Sequence, residues 1–584
     1  MKKGLLCFLL LIAAVAWWAV TRHESPRLQT TEEYAPAAYP ADFDERLLRV
    51  GGMQLNRRAP LPAKLRWQTA ETHPTLGHPD ARKGGCARFC NAGPYPAHFL
   101  RFGGGPPQFF HQNLLAATEL PLVLRHPVTG DVTAGVAEAW ATTGKTVWFR
   151  LNPAARYTNG RPVRAADYLL AALLQAEQHC PEYEALASAA EKMEVHGEHL
   201  LSLTFRQESS ILRAAQLLQP AEPGFYSGFG SDFRETYAQR IPPTTGAYHI
   251  CKLEKGRLVV LQRIRNWWGE PLPVCRGRFN ADTIEYHFLN SEAQVWEFLM
   301  RGRLDAVQTR NMAAWQQYYD SNPSLQHLEY DAEYPLPPYG IALNASTLPD
   351  LELRRGLLNA MDMDTAVQHM FRGEGRRLRT FHSGYGTLSP AHTPEYHYAP
   401  QQARAHFAAA GYTDAGTDGI LKHEKTGVRL SVRLLYSPGD KINAMVQALV
   451  QSAAACGAEI QPEPVPWQVC QRQMQENRHQ LVFWAVPVPE YPAPARLLSP
   501  ESAESPFCLH ADDMAEALRS FQSATSPESD LARIDQLVYE HAIWLPGWKE
   551  NRVCIAHWPQ LRIPPSPWCF DALDAHLFWI ESEK

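Results

Sequence analysis

Few residues in this 584-residue chain have the types and spacing that chemistry requires, and their settings argue against a reaction centre. His196-Gly197-Glu198-His199 gathers two imidazoles and a carboxylate. A zinc hydrolase instead presents His-Glu-x-x-His on one helix face, and these four residues fall on the turn of an expected hairpin over 193–205, where solvent exposure is expected. Cys86-Ala87-Arg88-Phe89-Cys90 holds two thiols but has no companion Cys or His pair to complete a zinc site. Asp414 and Asp418-Gly419 look like fragments of a calcium loop, but the twelve-residue ligand series and its closing Glu are missing, and turn chemistry accounts for them. No Gly-x-Ser-x-Gly, Ser-x-x-Lys or phosphate loop occurs in its required context. No catalytic residue, metal ligand or cofactor is therefore expected.

Composition narrows the class further. A length of 584 residues with 45% apolar content implies two or three domains with sizeable cores. The net charge of −5 provides no electrostatic footprint for nucleic acid or for an anionic membrane surface. Met1-Lys2-Lys3, the apolar Gly4–Val20 and the small residues at Ala14-Val15-Ala16 have the form of an export signal, shorter than a full bilayer span. A cleaved signal is one reading, and an uncleaved anchor with Trp17-Trp18 at the interface is the other. Ten cysteines follow: Cys86, Cys90, Cys180, Cys251, Cys275, Cys456, Cys470, Cys508, Cys554 and Cys569. An even number in an exported chain suggests disulfides whose pairing the sequence does not fix. Residues 21–80, rich in Pro and Arg, are expected to form an extension with at most one short helix.

The elements beyond it alternate between strand and helix. Ile241–Gly269 carries a Pro-Pro-Thr-Thr-Gly turn, an apolar run from Ala247, a charged break at Glu254-Lys255-Gly256, the run Leu258–Leu261 and then Trp267-Trp268, a strand–hairpin–strand pattern. Val147–Leu151 alternates as a strand, Asn159-Gly160 is a strong turn pair, and Tyr168–Gln178 is an apolar helix with Asp167 in its first turn. Helices are also expected over Leu353–Ala360, Thr365–Phe371 and Asn443–Cys456, the last stopped by Gly457 and feeding a strand at Ala458–Gln461. Further strands are expected at Tyr339–Asn344 and Leu481–Trp484.

Several of these segments resemble, in collinear order from about residue 84 to 560, the family 5 extracellular solute-binding proteins that serve ABC importers. They are Gly84–Cys90, the block Gly135–Val163, Ile241–Gly269, Arg278–Tyr286, Trp296–Val307, Tyr398–Leu421 and Ile543–Pro546. The resemblance implies an α/β, two-lobed periplasmic-binding-protein fold of the large peptide-binder type (class II), with an extra subdomain in lobe 1 and two crossing segments joining the lobes. Expected bounds are 1–20 for the signal or anchor, 21–80 for the extension, 81–335 for lobe 1 with its inserted subdomain at about 110–205, 336–543 for lobe 2, and 544–584 for the return to lobe 1.

The implied function is capture of a peptide or another small solute between the lobes by hinge closure, followed by delivery to ABC permease subunits in the membrane. The protein would be a monomer, exported to the periplasm or cell surface, and would not bind nucleic acid. A membrane-tethered sensor of the same fold is the alternative. Peptide binders of the family hold the ligand's ammonium with an Asp. The corresponding stretch, Trp484–Pro492, has Pro at that place, and Glu490 is the carboxylate nearby. Tyr95, Phe110, Tyr339, Tyr385 and Trp484 are the candidate aromatic walls, with His382 beside Gly384-Tyr385-Gly386 as a further candidate.

Overall fold

The computed structural model describes residues 39–581, apart from positions 63, 70–72, 92–94, 104–113, 115–116, 128, 130, 310–317, 319–321, 332–338, 371–376, 379, 383–388, 391–392, 486–491, 493, 501, 503–504, 524–527, 549–551 and 565–576. Gly4–Val20, Phe110, Tyr385, Glu490 and Cys569 lie outside the described residues, and no described helix is long and apolar enough to cross a membrane. The chain folds as two compact units. The first runs to Tyr330 and resumes at Val553, and the second is centred on Asp331–Arg552.

The first unit holds two large sheets. A seven-stranded sheet is ordered Tyr248–Glu254, Leu258–Arg263, Thr283–Phe288, Cys86–Asn91, Ala306–Thr309, Arg552–His557 and Gln326–Asp331. The expected hairpin forms its edge, turning at Gly256 with φ +73°. Cys86–Asn91 enters the middle, parallel to Thr283–Phe288. A buried Asp305 carboxylate accepts both the Arg88 amide (2.7 Å) and its guanidinium (2.8 Å), fixing where this strand meets the next.

The six-stranded sheet runs Gln54–Asn56, Ala190–Val195, Leu200–Phe205, Thr146–Leu151, Ala137–Thr143 and Gln68–Thr69. Its helix, Ala165–Glu177, begins a full turn before Tyr168, and almost all of it is buried. Arg164 precedes it without a side-chain cap, and Asp167 supplies the capping bond by accepting the Arg164 amide at 2.8 Å. Asp167 also accepts the hydroxyls of Tyr157 (2.9 Å) and Tyr39 (2.7 Å). Burial of this carboxylate pushes its pKa up to about 7 despite these donors.

A raised pKa means that the folded chain holds the proton more tightly than the unfolded one. The resulting stability is fully present below the ordinary aspartate pKa and is lost as pH rises through about 7, at roughly 1.4 kcal/mol per pH unit between the two values. Asp167→Asn is therefore expected to flatten the fall in Tm between pH 5 and pH 8. A variant whose Tm follows the parent's pH dependence would count against a neutral Asp167.

Three expectations change. Residues 21–80 are not only an extension with one helix: besides the short helix Phe43–Arg49, they contribute the two edge strands of the six-stranded sheet. His196 is buried rather than exposed, its ring meeting the Pro60 carbonyl and the Ser202 hydroxyl (2.9 Å), while Glu198 stays in solvent. The nine described cysteines are free thiols, not disulfides. Cys86 and Cys90 lie four residues apart along one strand, about 13 Å at 3.3 Å per residue, which is beyond disulfide reach. Burial raises the half-buried Cys90 thiol to about 11, so it is not a ready thiolate.

The second unit is a five-stranded sheet ordered Glu459–Pro464, Ser431–Tyr436, Leu481–Ala485, Tyr339–Leu343 and Trp544–Trp548. The helix Asp440–Ala455 makes the expected crossover between two parallel strands, ending at Gly457 (φ +94°). Trp544–Trp548, expected in the returning segment, instead pairs with Tyr339–Leu343 in this sheet, so the return to the first unit begins later.

Candidate ligand site in the second unit

Strand periodicity decides which side chains of the second unit can meet. Successive residues of a strand face opposite sides of the sheet. Ile341, Leu343 and Phe483 therefore pack on one face and Ala342, Val482 and Trp484 on the other, and a bulge at Gly547, between the pairs Gly340–Pro546 and Tyr339–Trp548, sends Trp544 and Trp548 to opposite faces as well. Tyr339 lies with the first group, stacked on Trp548 at 5.0 Å and on Phe483 at 6.1 Å. Trp484 lies with the second, 3% exposed and edge-on to Phe507 and Trp544. Two of the candidate wall residues are thus on opposite faces of one sheet. Tyr95 belongs to the first unit, half-buried and edge-on to Phe288 at 5.0 Å.

A small recess with about 20 Å³ of internal room, enough for a single water, lies at the edge strand Trp544–Trp548. Phe381, Tyr396, Tyr539 and Trp544 give it aromatic walls, and Glu395 and Asp535 give it carboxylates. Gly340 opposes this strand and has no side chain for a physical reason. A Cβ there would lie 2.4 Å from the Leu545 carbonyl and 2.5 Å from the Trp544 ring, so the absence of one lets the indole lie against the neighbouring strand.

Asp535 projects from the helix Glu528–Glu540 on the same stripe as the buried Leu531, Ile534 and Val538. Its Oδ1 is 2.6 Å from His382 Nδ1, and its Oδ2 accepts the His382 amide at 3.2 Å. Both side chains are buried, and the His382 ring meets the Phe381 wall edge-on at 4.9 Å. The Tyr396 hydroxyl donates to the Tyr539 carbonyl at 3.1 Å, and burial pushes its pKa up to about 12, which keeps the phenol neutral. The Arg377 guanidinium reaches the carbonyls of Tyr396 and Pro546 and the Asp364 carboxylate, joining three segments at the rim.

This arrangement gathers apolar area, phenols and carboxylates around room for a single water, well short of the several hundred Å³ of a small-molecule pocket. Among the described residues no cluster of three or more His, Cys, Asp or Glu could hold a metal. Asp535, Glu395, Tyr396, Tyr539 and Trp544 are absent from the sequence-based candidates. Asp535 carried a signal that was readable: a carboxylate on an otherwise apolar helical stripe. Glu395 and Tyr396 sit in a Pro-containing segment, Tyr539 near the end of the same helix as Asp535 and Trp544 in an edge strand, and nothing local marks them.

Residues 131–504, about two thirds of the chain, match the family described as bacterial extracellular solute-binding proteins, family 5 (middle region). The chain belongs to this family. A binding protein of Brucella suis biovar 1 is 26% identical over 252 residues, a match covering 41% of this chain and 40% of that one. The chain therefore spans less than half the length of the Brucella relatives it matches. The peptidoglycan-binding protein YepA of Agrobacterium fabrum is 21% identical over 359 residues, 56% of each chain. The structure of the oligopeptide-binding protein AppA of Bacillus subtilis superposes with a TM-score of 0.67 over 86% of this chain and all of that one, at 14% identity, showing the same two-lobed fold.

Proposed function

We propose that this family 5 protein is the substrate-binding component of an ABC importer. It works outside the cytoplasm, in the periplasm or at the cell surface, as a monomer that performs no chemistry, captures a peptide or related solute and passes it to permease subunits in the membrane. The family match over residues 131–504 carries the reading. AppA was determined with a nonapeptide and YepA is named for peptidoglycan, so oligopeptides and peptidoglycan fragments are the first ligands to test. In this reading Tyr95, Phe110, Tyr339 and Tyr385 contribute ligand-facing surface and Glu490 receives an ammonium group, while the buried Trp484 packs inside the second unit.

Native mass spectrometry of gently purified protein, followed by denaturation, tests the reading. A mixed peptide ladder or a peptidoglycan fragment is the expected release. Empty protein that also shows no thermal shift with either class would overturn it. If Glu490 receives the ammonium, Glu490→Gln should weaken binding of a peptide with a free amino terminus about 10- to 100-fold, the worth of one charged hydrogen bond, and leave its N-acetylated form unchanged. Equal losses for both would remove Glu490 from the site.

A further inference from the structure

The six-stranded sheet owes both of its edges to residues that precede the rest of its strands by some seventy positions. Gln54–Asn56 adds in parallel to Lys192, Met193 and Glu194 at one edge, and Gln68–Thr69 adds antiparallel to Ala139 and Trp140 at the other. Without them the sheet would end in strands of six and seven residues, Ala190–Val195 and Ala137–Thr143, each with a free row of backbone donors and acceptors. Long open edges pair with other chains, and very short edge strands suppress such pairing. The added strands are three and two residues long.

The attachment of this segment is specific to its sequence. Tyr39 donates to the buried Asp167, and its ring stacks on Phe43 at 5.0 Å. Phe43, Leu47 and Leu55 are buried. The Arg57 guanidinium covers the Tyr39 and Phe43 rings, and Arg46 bonds Glu177 while lying 4.3 Å over Phe229. The Ala59 amide extends the parallel pairing to the Val195 carbonyl, and the Trp140 indole donates to Gln68 at 3.1 Å. These contacts are separable from the seven-stranded sheet, which the chain enters only at Cys86.

We infer that residues 39–69 form a strap that fills, within its own chain, a strand-accepting surface on the six-stranded sheet, and that the outside partner this surface fits is the same segment of a second copy. Only another copy supplies Tyr39, Phe43, Leu55 and Gln68 in the required order. An exchanged strap would repeat every contact of the closed form, leaving concentration to decide between closed monomer and swapped dimer.

Two measurements on the full chain test this. In native-state hydrogen exchange, the amides of 54–59 and 68–69 should open together and more readily than those of Thr146–Leu151 at the sheet centre. Strap amides that exchange only when the whole first unit unfolds would overturn the inference. In the second, the protein is refolded from denaturant at graded concentrations, with and without an excess of synthetic peptide spanning 39–69. The dimer share in sedimentation should rise several-fold with concentration, and the peptide should suppress it. Monomer at every concentration, or a dimer indifferent to the peptide, would also overturn the inference.

Discussion

Asp535→Ala should destabilise the second unit by about 3 kcal/mol or more. The carboxylate is buried and accepts two hydrogen bonds from one residue, the ring and the amide of His382. Losing a buried acceptor leaves each orphaned donor unsatisfied, at roughly 1–3 kcal/mol each, and two donors are orphaned here. The loss is also local, because these bonds fix Phe381, which packs edge-on against Trp544 at 5.7 Å in the wall of the recess. Denaturant unfolding followed by tryptophan fluorescence checks the stability, and ligand titration checks the recess. Asp535→Asn keeps the volume and one acceptor and should recover part of both. If Asp535→Ala unfolds at the parent's denaturant midpoint, the pair contributes nothing to the fold, and the recess has another support.

Gly246→Ala is expected to be comparably severe, and it explains why the Pro-Pro-Thr-Thr-Gly turn ends in glycine. A Cβ on residue 246 would lie 2.3 Å from the Thr118 carbonyl carbon and 2.5 Å from the Glu119 nitrogen. These are main-chain atoms, so no rotamer change relieves the overlap. The Gly246 amide also donates to the Thr118 carbonyl at 2.7 Å, and the Thr245 hydroxyl bridges the amide and carbonyl of Leu120, holding the two backbones together. Overpacking costs roughly 1–3 kcal/mol and sometimes more, and a main-chain collision belongs at the upper end. Gly256→Ala is the control. It meets open space and suffers only from its left-handed φ of +73°, a penalty of about 1–2 kcal/mol. Equal losses in the two variants would show that turn conformation, rather than backbone proximity, is what residue 246 supplies.

Much of the local structure was legible in the sequence. Alternation and turn residues located the hairpin at Tyr248–Arg263, the turn at Asn159-Gly160 and the crossover ending at Gly457, because glycine at positive φ and period-two apolar runs are constraints on neighbouring residues. Such features need no knowledge of what lies across the fold.

The tertiary structure decided everything that depends on distant partners. Residues 54–56 and 68–69 carry too little pattern to be read as strands, and only the edges of a sheet formed by residues 137–205 make them so. Tyr339 and Trp484 looked like parts of one wall, but strand register sends them to opposite faces. The buried state of His382 follows from Asp535, 153 residues later. Local sequence fixes backbone propensity within a few residues. Which side chains share a face, a recess or a proton depends on register and packing between segments that meet only once the chain has folded.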